Sequence, residues 1–169
     1  MARISLRDYQ RELAERLKTA AASGGAASRL GVQAGEEAWL VNLADAGEVI
    51  PAPAITPVPL AKPWFRGVAN VRGKLYGVVD FPAFLGGAAV APGEQVRLML
   101  LGERFRMGSA LLVDRLLGLR GAELLQEQPA PSGSAPWLRA EQVDKDGRRW
   151  KELDVARLVQ DQAFLEVAA

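Results

Sequence analysis

The sequence predicts a mainly β protein made of two small barrels, preceded by one amphipathic helix. Three observations carry this. After residue 28 the chain breaks into short apolar runs of strand length, punctuated by glycine and proline. It also repeats itself weakly, each half offering a candidate hairpin, further strands and then a short helix opened by an aspartate. Finally, the longest apolar runs are far short of a membrane span. Two covalently linked β-barrels related by pseudo-symmetry are the simplest architecture that satisfies all three.

The leading helix is predicted over residues 5–22. Ser5 and Asp8 form a variant of the capping box, and Leu6, Leu13 and Leu17 recur at helical spacing with Tyr9 beside them. Arg7, Arg11, Glu12, Glu15 and Lys18 make the opposite face. The alanine-, glycine- and serine-rich stretch that follows reads as a connector, so residues 1–27 are assigned to helix and connector and residues 28–169 to the barrel domain. The leucine stripe either packs on that domain or receives a partner.

The first hairpin is Leu30 to Ala34, a Gly35-Glu36 turn, and Ala38 to Val41. The block from Trp64 to Leu85 comes next. Two apolar runs flank Arg72-Gly73, which fits a tight turn needing positive φ, and Gly67 and Gly73 read as backbone-geometry glycines. Asp80 has the chemistry of a helix N-cap, with Pro82 allowed in the first turn and Gly86-Gly87 as the stop. The second hairpin is expected from Val96 to Leu101, a Gly102-Glu103 turn, and Arg104 to Met107. Trp150 to Asp154 then leads an amphipathic helix over Val155 to Val159, capped by Asp154. Two proline-rich stretches, residues 51–59 and 128–136, belong at sheet edges or outside the sheets, because proline cannot donate to a ladder.

Composition narrows the chemistry. The 169 residues suit one domain or two very small ones, and 21 basic against 20 acidic residues give a net charge of +1. That balance argues against a nucleic-acid binder, which concentrates basic surplus on one face. Without cysteine or histidine the chain has no disulfide, no thiolate or serine–histidine nucleophile and no zinc site of the usual kinds. An enzyme would have to work with carboxylates and lysines, using Asp80 or Asp114 as base, and nothing in the spacing gives either one a nucleophile, a phosphate loop or a metal. The N-terminus lacks the apolar segment of a signal peptide, so a cytoplasmic protein is expected.

The run Phe65-Arg66-Gly67-Val68-Ala69-Asn70-Val71-Arg72-Gly73, followed by Val78-Val79-Asp80-Phe81, resembles the signature of CheW-like domains. Gly47-Glu48-Val49-Ile50 and Ala110 to Leu119 match two further family segments in the right order, so the resemblance covers about residues 30–160. It implies two five-stranded barrels around a shared core, no enzymatic activity and no cofactor. It also implies an adaptor role: one barrel binds the regulatory domain of a chemotaxis-type histidine kinase, and the groove between barrels holds the cytoplasmic tip of a chemoreceptor. The wording from Lys62 to Gly73, together with the N-terminal helix, is similar to adaptors of the PilI type, which serve the systems controlling type IV pili and twitching motility. An ordinary flagellar adaptor is the alternative, and a barrel binding single-stranded nucleic acid a remote one.

Carried onto this chain, the resemblance places Glu48, Gly67, Asn70, Arg72, Leu112, Val113 and Leu116 at the receptor groove, and Leu43 and Ala46 at the kinase-facing edge. Each has a plainer reading. Arg72 can cap carbonyls or pair with Glu48, Asn70 can satisfy its own turn, and Leu112, Val113 and Leu116 can be core. Asp80 and Asp154 are read as caps and Gly73 as a turn residue. Two positions depart from the family: Ala46 is smaller than the usual branched residue, and Gly77 replaces the common proline, so β structure there is expected to bend differently. No metal ligands, nucleic-acid contacts or membrane insertion are implied; recruitment to membrane-associated receptor arrays is.

Overall fold

The computed structural model describes residues 28–121 and 125–169 and, ahead of them, Gln10, Leu13 and Ala14, which are helical. The remainder of the predicted helix over 5–22 and its connector lie outside the described residues.

The expected first hairpin forms from β1 (Arg29–Ala34) and β2 (Glu37–Asn42), with Gly35 at φ 62° supplying the turn. Then come β3 (Ala46–Pro51), β4 (Phe65–Val71), β5 (Lys74–Asp80) and a one-turn helix α1 (Phe81–Phe84). The second repeat runs β6 (Arg97–Leu101), β7 (Ser109–Val113), β8 (Arg115–Arg120), β9 (Leu125–Pro129), β10 (Leu138–Asp144), β11 (Arg149–Leu153) and α2 (Val155–Leu158). A last helix, α3 (Gln162–Leu165), follows.

The strands form two sheets, ordered β8-β1-β2-β11-β10-β9 and β3-β6-β7-β5-β4. The repeat foreseen in the sequence is present, but the sheets do not divide along it. One sheet joins the hairpin β1–β2 of the first repeat to β8, β10 and β11 of the second; the other joins β6–β7 to β3, β4 and β5. Each exchange uses one antiparallel pairing, β1 with β8 or β3 with β6, and one parallel pairing, with Trp39 opposite Lys151 or Val79 opposite Leu111. β9 is a sixth strand without a counterpart, and the hydrogen-bonded order of each sheet is open instead of the expected closed five-stranded barrel. In the five-stranded sheet, however, the chain beyond β3 returns to β4: Thr56 and Val68 exchange backbone hydrogen bonds of 2.8 and 2.9 Å. Both proline-rich stretches take the edge positions foreseen, Pro51 ending β3 and Pro129 ending β9.

The largest core takes Leu30, Val32, Trp39 and Val41 from one sheet and Val79, Met99, Leu111 and Val113 from the other, so it is the seam that fixes the sheets together. A second core, with Tyr76, Val78, Leu98, Leu100 and Leu112, lies within the five-stranded sheet, and a small third one, Ala38, Leu40 and Trp150, belongs to the six-stranded sheet. Burying each large side chain contributes about 1.5–3 kcal/mol.

The pseudo-symmetry extends to the aromatics. Trp64 precedes β4 and its carbonyl accepts from the Asp80 N–H at 2.8 Å; Trp137 precedes β10 and accepts from the Asp154 N–H at 2.8 Å. Both indoles meet the Phe84 ring, at centroid distances of 5.1 and 5.7 Å, and Trp39 joins them 5.9 Å from Trp137. Three of the four tryptophans scattered along the sequence therefore share one cluster at the seam.

The second hairpin departs from expectation. Arg104 to Met107 is not its return strand: Glu103–Phe105 is a 3₁₀ turn, Arg106 and Gly108 have φ of 52° and 53°, and β7 starts only at Ser109. A left-handed residue followed by a left-handed glycine cannot continue a ladder. Gly77 produces no irregularity; β5 pairs through it on both sides, and a Cβ there would lie 3.2 Å from the Phe65 ring.

Candidate functional site

The β4–β5 hairpin presents the residues of greatest interest. Val71 and Lys74 are its last pair, leaving Arg72 and Gly73 as a two-residue turn with φ of 52° and 85°. Positive φ at both central residues is what a type I′ turn demands, and its twist matches that of the flanking strands. Asn70 steadies the turn, its Oδ1 accepting the Gly73 N–H at 2.8 Å. Asn70 is thus a turn residue whose remaining surface is exposed. Gly67 is buried at φ 126°, and a Cβ at this position would lie 1.9 Å from the Thr56 carbonyl oxygen. Glycine is required here by the close approach of the chain that follows β3.

Arg72 reaches from this turn to Glu48 on β3. Its Nη1 donates to Oε1 at 3.0 Å and its Nη2 to Oε2, the two parallel bonds of a guanidinium–carboxylate fork. These bonds hold the Glu48 carboxyl below the usual carboxylate range, against a smaller opposing effect of partial burial, and raise the Arg72 guanidinium. Arg72 stays 70% exposed at its side chain and Glu48 36%, so the fork faces solvent and is open to a partner.

The structure returns the next candidates to the core. Successive residues of β7 point to opposite faces, and here both faces are covered. Leu112 enters the core of the five-stranded sheet and Val113 the seam, at 3% and 0% exposure. Neither offers a side chain to a partner. Leu116, on β8, is half-buried against the seam.

Leu43 and Ala46 flank the β2–β3 turn, both half-buried against the seam core. Between them lies a residue that sequence reasoning passed over. Asp45 is only 8% exposed, and its carboxylate is paired with Arg104 from the β6–β7 loop. An acid set among leucine and alanines in a tight turn was the available hint.

Asp80 and Asp154 are the helix caps foreseen, accepting from the N–H groups of Ala83 and Arg157 at 3.1 Å each. Asp80, itself at 0% exposure, does more: its Oδ2 accepts the Val90 N–H at 2.9 Å and meets the Arg66 guanidinium at 3.4 Å. Asp114, the other carboxylate considered as a base, accepts the Gly35 N–H at 2.6 Å. Both are committed to backbone donors.

Comparison with known proteins decides the family. The sequence model of the CheW-like domain matches residues 29–163. The chain belongs to the CheW-like domain family. Protein PilI of Pseudomonas aeruginosa is 31% identical over 145 residues, covering 83% of this chain and 80% of that protein. The crystal structure of scaffolding protein TtCheW from Thermoanaerobacter tengcongensis matches with a TM-score of 0.65 at 18% identity, over 76% of this chain and 89% of that one. The two exchanged sheets are thus the CheW fold, and the Arg72 turn lies within the matched region.

Proposed function

We propose that this protein is a non-enzymatic adaptor that couples methyl-accepting chemoreceptors to a chemotaxis-type histidine kinase, in a system controlling type IV pili and twitching motility. The observation that carries this reading is the likeness to PilI across most of both chains, in a member of the CheW-like family. The kinase's regulatory domain and the receptor's cytoplasmic tip are its two partners, and no cofactor or nucleic acid takes part. Residues 28–169 make up one adaptor domain. The protein works in the cytoplasm at membrane-associated receptor arrays; no helix among the described residues is long and apolar enough to cross a membrane.

The receptor-facing surface centres on Arg72, Glu48 and the exposed side of Asn70, with Leu116 beside the seam and Gly67 acting through the backbone alone. The guanidinium can keep one edge on Glu48 and turn its remaining donors to a carbonyl or carboxylate on a partner helix. The kinase-facing edge is the β2–β3 turn with Leu43 and Ala46. The two surfaces meet on β3, where Ala46 belongs to the kinase edge and Glu48 to the receptor surface, so the partners dock side by side on one molecule. Coupling then requires each partner to favour one of two states of the assembly, since equal affinity for both would shift nothing.

Calorimetric titration with the regulatory domain of the same organism's kinase tests this reading. Saturable one-to-one binding, abolished by Leu43→Asp in a protein that still melts cooperatively, is the expected result. No heat with the wild-type protein would overturn the adaptor reading.

A further inference from the structure

We infer that Arg104 is a positioning residue for the kinase-facing edge: by neutralising the buried Asp45 carboxylate it holds the β2–β3 turn in its binding shape. The inference rests on the proposed adaptor reading for its partner, but its geometry is independent of it. Asp45 and Arg104 are 59 residues apart and come from different repeats. The turn is bound to the β6–β7 loop by backbone as well, the Gly102 N–H donating to the Asp45 carbonyl at 2.8 Å. A Cβ at Gly102 would lie 3.2 Å from that oxygen and 3.5 Å from the Ala44 carbonyl oxygen, so the two loops are in direct backbone contact. Within the turn, the Asn42 side chain accepts the Ala44 N–H at 2.9 Å and its carbonyl the Asp45 N–H at 2.9 Å. Arg104 itself is anchored by its neighbour, its guanidinium centre lying 4.6 Å from the Phe105 ring.

A carboxylate on a side chain only 12% exposed is tolerated only while it is paired. Without Arg104 the cheapest relaxation carries Asp45 out to water. Asp45 sits between Ala44, which is exposed, and Ala46, so that movement displaces the edge a partner would read. Arg104 need not touch the partner to control its binding.

The logic gives a test that a direct contact would fail. In the free protein, Arg104→Ala should speed amide exchange at residues 43–46, and adding Asp45→Asn should slow it again, because a neutral amide needs no cation. In titrations with the kinase regulatory domain, Arg104→Ala should weaken Kd by about tenfold and the Asp45→Asn/Arg104→Ala double variant should recover most of that loss. Arg104→Lys should bind nearly as the wild type does, and affinity for the receptor hairpin should not change in any of these variants. Unchanged exchange in Arg104→Ala, or a double variant as weak as the single one, would overturn the inference. Ala44→Glu, a change at an exposed position, checks the edge separately: undiminished kinase binding there would show that the edge itself is elsewhere and the adaptor reading's kinase face is wrong.

Discussion

Glu48 and Arg72 stand at opposite edges of one sheet, and their side chains close it. In the order β3-β6-β7-β5-β4, Glu48 lies on the first strand and Arg72 just past the last, yet the guanidinium grips both carboxylate oxygens. The Thr56–Val68 bridge joins the same two ends through the backbone. The sheet is therefore drawn round on itself by one bridge and one ion pair, and the pair is at once the closure and the most exposed charged feature of the hairpin.

Removing Arg72 should therefore separate recognition from folding. Arg72→Ala is expected to keep a cooperative melt close to that of the wild type, because an exposed ion pair contributes little. It should retain kinase-domain binding while losing receptor recruitment. Co-sedimentation with receptor-containing vesicles measures the second effect; recruitment at the wild-type level by the folded variant would remove Arg72 from the receptor surface.

The pair also has a pH signature. The folded-state pKa of Glu48 lies below its unfolded value, so its contribution is present above the ordinary carboxylate range and is lost as pH falls through the folded pKa. Asp144, lowered chiefly by the hydrogen bond from the Trp150 indole N–H, acts in the same direction. Melting temperatures of Glu48→Gln and Asp144→Asn should lie slightly below the wild type at pH 7 and converge with it as acidification protonates the two carboxylates. A gap that widens on acidification would contradict the assignment.

Gly67→Ala should be costly. The new methyl would collide with the Thr56 carbonyl oxygen, at a φ that alanine disfavours, so the Thr56–Val68 bridge must open. A loss of at least about 2 kcal/mol in urea unfolding is expected.

Asp80→Ala should exceed an ordinary loss of a cap. A cap alone contributes about 1 kcal/mol, but this substitution also strands the buried Val90 N–H and leaves Arg66 without its acid, so about 3 kcal/mol is expected in the same assay. Asp154→Ala, at the equivalent but more exposed cap, should cost only about 1 kcal/mol. Equal losses at the two positions would show that the Val90 clamp contributes nothing.

Local chemistry made part of this legible from residues alone. The Arg72-Gly73 turn, the Asp80 and Asp154 caps and the first hairpin all depend on neighbours within a few positions, and all are found. The β6–β7 loop was misread because Arg104 to Met107 alternates like a strand, while its left-handed Arg106 carries no sequence mark as a glycine would. Leu112 and Val113 are apolar whether they line a groove or a core; only the two covering faces tell which. The exchange of strands between repeats rests on the pairings of β1 with β8, β2 with β11, β3 with β6 and β5 with β7, which join segments far apart in sequence. The Asp45–Arg104 pair escaped for the same reason.

The central claim is that one molecule holds receptor and kinase together. The most direct test immobilises the receptor's cytoplasmic hairpin and follows capture of the kinase regulatory domain with and without this protein. The account expects capture only when the protein is present, in proportion to the amount bound, and its loss with Arg72→Ala. If kinase domain and receptor hairpin instead displace each other from the protein, the two surfaces are one and the adaptor account is wrong.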